Sequence, residues 1–187
     1  MARVADERVF IYRVDAQNRI GFVNRAWLDF AQENEAPELI AERVLGRELD
    51  AFIADWETRH LYEIIYERVR QAGRTFYLPL RCDSPTRRRY LRMEISPLPL
   101  AGMEFSVRVE RMEERSPILL LDDSVEHSKE FVVICSWCKK IEIGAGRWAE
   151  IEDATEKAEI FGAAPPSLTH TACPDCLATI RRQLGDG

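Results

Sequence analysis

Two C-x-x-C pairs, Cys135-Ser136-Trp137-Cys138 and Cys173-Pro174-Asp175-Cys176, constrain this chain more than any other feature. Two residues between cysteines make a tight knuckle whose turning backbone lets both sulfurs face one point. Two such knuckles supply four soft thiolates in a tetrahedron, the arrangement zinc prefers in closed structural sites. The pairs stand 34 residues apart, wider than the commonest ribbon spacing, and the intervening residues account for the excess. Lys139 to Trp148, with Gly144 and Gly146 at the turn, reads as a hairpin. Glu150 to Phe161 reads as a helix with Ile151, Ala154, Ala158 and Ile160 or Phe161 on its apolar side. Pro174-Asp175-Cys176 opens a helical segment, Leu177 to Leu184.

A knuckle, a hairpin and a second knuckle at a helix start resemble a treble-clef zinc module. At about 55 residues such a segment lacks the material for its own core, and a bound metal would supply folding free energy on the order of 10 kcal/mol. The expected cofactor is therefore Zn2+, and the expected ligands are Cys135, Cys138, Cys173 and Cys176. His170, three residues before Cys173, is either a ligand in a site of three cysteines and one histidine or a packing residue beside a complete four-cysteine site. A redox dithiol is the competing reading, since a helix start lowers a thiol pKa. No thioredoxin-like strand-helix-strand unit surrounds either pair, and two pairs of matching spacing are better explained together.

The chain has 187 residues, 46% of them hydrophobic and 31% charged, enough for one domain with a small appended module. Its net charge of -6 argues against a protein built mainly to hold phosphate backbones. Residues 130–187 carry six Lys or Arg against nine Asp or Glu, which weakens a DNA-binding finger further. Met1 to Glu7 is polar, and no apolar run approaches the roughly 18 residues of a membrane span. A cytoplasmic protein with reduced thiols is the default expectation.

Acidic, Ser- and Pro-punctuated composition from Glu113 onward divides the chain into residues 1–115, a linker over 116–130 and a metal module over 131–187. The first part reads as mixed α and β. Val9 to Val14 and Ile20 to Asn24 form a hairpin pattern around turn residues 15–19. Ala26 to Glu33 is helical, and Leu39 to Phe52 holds short helical pieces broken at Gly46. Asp55 to Gln71 is the strongest helix, with Leu61, Ile64, Ile65 and Val69 on one stripe, Asp55 as N-cap and Gly73 as stop. Thr75 to Arg81, Arg89 to Ile95 and Met103 to Val109 are strands. Tyr90, Arg92 and Glu94 alternate with Leu91, Met93 and Ile95, as in a sheet with one wet face.

That order, with an Asn closing the second strand, resembles a PAS sensor domain over about residues 8 to 112. The likeness rests on Phe10-Ile11-Tyr12-Arg13-Val14-Asp15, on Ile20-Gly21-Phe22-Val23-Asn24-Arg25-Ala26-Trp27, and on Val44-Leu45-Gly46-Arg47-Glu48-Leu49 running into Phe52-Ile53. It implies a five-stranded antiparallel sheet cupping short helices, with ligand space between them. Val133-Ile134-Cys135-Ser136-Trp137-Cys138-Lys139-Lys140-Ile141, with Trp148 and His170-Thr171-Ala172-Cys173-Pro174-Asp175-Cys176-Leu177, resembles a module found behind PAS or receiver domains in bacterial signalling proteins. Members of that group commonly carry His at the position of His170. The fold class expected is α+β, a PAS-like sheet with helices followed by a small treble-clef-like zinc module.

Other residues carry bland readings beside functional ones. His60 lies roughly where some haem-binding PAS domains place an axial ligand, and reads as a surface or capping residue. Cys82 reads as an ordinary strand-end cysteine; the Asn-Cys-Arg-Phe string of flavin-linked light sensors is absent. Arg87-Arg88-Arg89 reads as a hairpin tip with solvated charges. Trp27, Trp56, Trp137 and Trp148 read as core residues, with Trp137 also shielding the metal. No glycine-rich phosphate loop, kinase signature or G-x-S-x-G string occurs, and four cysteine ligands leave zinc no open position, so no enzyme is expected. The function expected is a bacterial signalling or regulatory protein. Its PAS-like part senses a small molecule or forms a homodimer, and its zinc module binds a protein partner. A zinc-dependent DNA-binding regulator and a redox or haem sensor are the alternatives.

Overall fold

Alternating apolar residues build the first sheet. The computed structural model describes residues 8–34, 36–157 and 164–185. Strands β1 (Val9–Val14), β2 (Ile20–Val23), β3 (Phe76–Ser84), β4 (Arg87–Pro97) and β5 (Met103–Glu114) form one antiparallel sheet in the order β2-β1-β5-β4-β3. Leu91, Met93 and Ile95 of β4 are buried, and so are Met103, Phe105, Val107 and Val109 of β5, which gives the sheet one dry face. Between β2 and β3 lie helices α1 (Arg25–Glu33), α2 (Ala41–Val44) and α3 (Trp56–Ala72), with a single 3-10 turn at Leu49–Phe52. Val44, Ile65, Tyr66 and Val69 from these helices join the dry face in one core. This α+β arrangement is the five-stranded sheet with short helices that the PAS resemblance implies.

Local chemistry sets the helix ends. The Asn24 carboxamide oxygen accepts from the backbone N–H groups of Trp27 (2.9 Å) and Ile11 (3.1 Å), and its Nδ2 donates to Val9 O at 2.7 Å. One side chain thus caps α1 and clips it to β1. Asp55 accepts from Glu57 N and Thr58 N at the start of α3, and Gly73, at φ 60°, ends it in the left-handed conformation that a side chain would strain. The buried stripe of α3 runs through Thr58, Ile65, Tyr66 and Val69, with Leu61 and Ile64 half-buried at its border. Trp56, half a turn out of phase with Ile65, is 70% exposed, so the expectation that all four tryptophans pack inside fails there.

Beyond Glu114 the chain does not run free. Ile118 and Leu120 are buried with Ile134, Ile141, Ile151 and Ala154 in a second, smaller core. That core lies under a mixed sheet in the order β8-β7-β6-β9, made of β6 (Ser128–Cys135), β7 (Ile141–Glu142), β8 (Trp148–Ala149) and β9 (Pro166–Thr171). The hairpin β7-β8 matches its sequence signal, with Gly144 at φ 89° and Gly146 at φ 70° in the turn. Helix α4 (Ile151–Lys157) follows, and Ala158, Ile160 and Phe161 of the expected apolar side lie outside the described residues. Strand β9, which sequence reasoning did not find, pairs parallel with β6 from Ser128↔Pro166 to Cys135↔Thr171. Helix α5 (Pro174–Leu184) closes the chain. Among the described residues no helix is long and apolar enough to cross a membrane.

An ionic network ties the two parts together. Asp83, whose side chain is 1% exposed, bonds Arg81 and lies 3.2 Å from Arg115. Arg81 also pairs with Glu150 at 2.6 Å; Arg115 reaches Glu152 at 3.0 Å, and Arg88 bonds Glu152 as well. Burial works to lower the Arg81 pKa, but Asp83 and Glu150 outweigh it and hold the guanidinium charged. Here the reading of Arg87-Arg88-Arg89 as solvated charges is corrected. Arg87 is exposed, Arg88 is ion-paired, and Arg89 is 5% exposed, donates to the Asn34 side chain and stands over the Phe30 ring. The acids that recruit Arg88 come from α4 and β5, far away in sequence.

Two substitutions test this architecture. Asn24→Ala should lower stability by about 1–2 kcal/mol in urea unfolding, since it removes a cap and a strand clip. Asp83→Ala leaves two buried guanidinium groups short of their shared carboxylate and should cost about 3–5 kcal/mol by the same measurement.

Candidate metal centre

The first knuckle forms where β6 ends. Cys135 N donates to Lys140 O (2.8 Å) and Lys139 N to Cys135 O (3.0 Å), with Lys139 at φ 59°, so the backbone doubles back over four residues. That turn swings Cys138 toward Cys135. Ser136 N donates to Thr171 O at 2.8 Å, which continues the β6-β9 pairing and brings the second knuckle alongside. Cys173 is the N-cap of α5, Pro174 takes the first helical position where its missing N–H costs nothing, and Cys176 falls in the first turn.

The four sulfurs of Cys135, Cys138, Cys173 and Cys176 lie within 4.8 Å of one another. Cys138 and Cys173 are 3.6 Å apart, and Cys173 N points at Cys135 Sγ from 3.4 Å. All five cysteines of the chain are free thiols. A metal-sulfur bond of about 2.3 Å in a tetrahedron requires sulfur edges of about 3.8 Å, so the set fits a zinc site with four cysteine ligands. Cys135 and Cys173 are fully buried. Hydrogen bonds from the Cys138 and Cys176 thiols lower the Cys135 pKa strongly. The same bonds to Cys135 push Cys138 up to about 12 and raise Cys176 further. A soft dication would take the place of these thiol protons, so metal binding here would release them. Lys140 sits 4.0 Å from Asp175 beside the site. Burial pushes the neighbouring Lys139 ammonium down, against the pull of Cys82, Asp83 and Cys135.

His170 lies on β9 opposite Ile134 with an exposed side chain, outside the four-sulfur cluster. Cys82, half-buried on β3 opposite Arg89, also lies outside it. His60 is 60% exposed on α3 and 3.4 Å from Glu63, turned away from the interior where an axial ligand would stand. Trp137, 2% exposed, faces the core of the first sheet, with its ring 5.8 Å from Tyr62. Sequence reasoning missed the residues that receive this knuckle, Thr58 and Tyr62. The signal was present as polar-tipped side chains at positions 58, 62 and 66 of the α3 stripe.

Between the sheet and the short helices is an apolar cavity of about 160 Å³ lined by Tyr12, Ile20, Val23, Trp27, Leu39, Val44, Leu49 and Phe52. Tyr12 stacks on Phe105 at 4.5 Å, and Tyr66 meets the same ring edge-on. The Tyr66 hydroxyl and Asp50 Oδ1 are buried without a hydrogen-bond partner among the described residues. Burial raises the Asp50 carboxyl and the phenols of Tyr12, Tyr62 and Tyr66, Tyr62 to about 12 and the other two phenols well above the usual range.

No family model matches this chain, and no curated protein does. Among solved structures, the chain is similar to the photoactive yellow protein domain of the sensor histidine kinase Ppr from Rhodospirillum centenum. That match has 16% identity and a TM-score of 0.43, covering 55% of this chain and 87% of the other. It is also similar to the PAS domain of Bordetella pertussis BvgS, at 20% identity and a TM-score of 0.36, over 52% of this chain and 69% of the other. The fold class stands on the strand order and the helix layer, not on these likenesses.

The raised phenols make alkaline stability testable. A proton held more tightly in the folded state stabilises fully below the unfolded pKa of 10.0, and the gain is lost as pH rises through the folded value. Absorbance at 295 nm should therefore show Tyr62 ionising near pH 12, with Tyr12 and Tyr66 ionising only on unfolding, and stability should decline from about pH 10 upward.

Proposed function

We propose that this chain is a non-enzymatic bacterial signalling or regulatory protein in which a PAS-like sensor is joined to a structural zinc module. The PAS-like part senses a small apolar ligand or pairs with a second copy, and the zinc module engages a protein partner. The observation that carries this reading is the closure of the sulfur cluster. Four thiolates complete a tetrahedron, so a bound zinc keeps no position for water or substrate and serves architecture rather than hydrolysis. The cavity supports the sensing half, being lined almost wholly by apolar side chains. The acidic balance of the chain speaks against nucleic acid as the partner.

Elemental analysis of the purified, untagged protein tests the centre of this proposal. About one zinc per chain is expected, with thiol reagents reaching the four cysteines only after chelation or unfolding. No metal, or iron in its place, would sink the zinc reading and favour a redox or haem sensor. Salt-dependent retention on heparin would instead favour the DNA-binding regulator.

A further inference from the structure

Strand β3 is the edge of the PAS-like sheet, and the backbone N–H groups of Tyr77 and Arg81 turn away from β4 toward that open side. An open edge presents unpaired backbone groups that invite another strand. Pro79 has no N–H to leave unpaired. The groups on either side of it are closed by the C-terminal module. Arg81 N donates to Trp137 O at 2.6 Å, inside the first knuckle. Tyr77 N donates to Gln183 Oε1 at 2.9 Å and Gln183 Nε2 donates back to Tyr77 O, so a side-chain amide on α5 stands in for a neighbouring strand.

The N-terminal turns of α3 are held by the same element. Thr58 and Ser136 share a hydrogen bond of 2.7 Å, Thr171 Oγ1 donates to Glu57, and Tyr62 packs on Trp137. Ser136 and Trp137 lie between two of the cysteines, Thr171 lies two residues before a third, and Gln183 rides on the helix that begins at Cys173 and Cys176. All of these residues belong to a knuckle, to the strand that enters one or to the helix that leaves one. The ionic contacts of Arg81, Arg88 and Arg115 with Glu150 and Glu152 are made at α4 and the residue before it, a segment that belongs to neither knuckle.

We infer that the metal centre is a latch on the PAS-like half: metal occupancy sets whether the β3 edge and the first turns of α3 are closed. This rests on the zinc reading of the four cysteines. With the metal bound, the knuckles clamp both elements. When the metal leaves, Ser136, Trp137 and Gln183 lose their fixed positions while the ionic network still tethers the module. The edge strand and the start of α3 then open without the two parts separating. The state of the thiols is thereby delivered to the helix whose Tyr66 borders the buried polar groups of the sensor core.

Hydrogen exchange with mass spectrometry on the full chain tests this, with zinc content measured on the same samples before and after EDTA. The latch predicts that zinc removal speeds exchange at least about tenfold in segments spanning residues 76–82 and 56–62, while β1 and β5 keep their protection. Gln183→Leu in the zinc-loaded protein should speed exchange at Tyr77 alone and retain the metal, separating loss of the edge cap from general unfolding. If zinc is bound and removed but the change stays within residues 128–185, the latch is wrong and the zinc site stands. Uniform loss of protection along the chain would equally overturn it. A chain that takes up no added zinc would remove the zinc reading and the latch with it.

Discussion

The convergence of four sulfurs within 4.8 Å is the constraint on which the C-terminal half depends. Its own core is small: six buried residues among those described, two of them, Ile118 and Leu120, contributed by the segment that leads into it. A core of that size is too small to hold the segment by itself. A metal held by the four cysteines would cross-link it. The cluster also explains the parallel pairing of β6 with β9. Both strands run into their knuckles in the same direction, so the sulfurs meet only if the strands lie side by side in register.

The same cluster is set into the edge of the main core, with Cys135 and Cys173 buried in it and Cys138 and Cys176 packed against it. Cys135, Trp137, Cys173, Ile180 and Leu184 belong to the apolar cluster that contains Phe105, Ile95 and Tyr66. A module attached only by a tether would bury none of these against the first sheet. Two kinds of contact hold the parts together, and they differ in character. The knuckle contacts are short hydrogen bonds and aromatic packing that fail if the turn geometry changes. The network around Asp83 consists of charges that are costly to desolvate and costly to orphan, so it favours one docking geometry more than it adds net stability.

Sequence reasoning reached some elements because their signals are local. Asp55 and Gly73 were legible as cap and stop, since capping depends on residues within one turn. The β4 alternation was legible because side-chain direction repeats every second residue. Other features were misread for a common reason. Trp56 is hydrophobic yet exposed, because helix phase rather than hydrophobicity decides which way it points. Arg88 and Arg89 looked like solvated charges because their partners, Glu152 and Asn34, are 64 and 55 residues away. Strand β9 has Ser, Thr and His where a strand detector wants apolar alternation, and pairing with β6 alone makes it a strand.

By itself, then, the sequence determined the four candidate ligands, the α+β order and the ends of the principal helices, because spacing, alternation and capping act over two to four residues. Only the tertiary structure decided that the first knuckle enters the core of the PAS-like sheet and that Gln183 closes its edge. It alone brought Thr58 to Ser136. Those meetings join residues 78 to 106 positions apart. No local rule encodes such a pairing; it exists because both ends are held by surfaces that form only when the whole chain has packed.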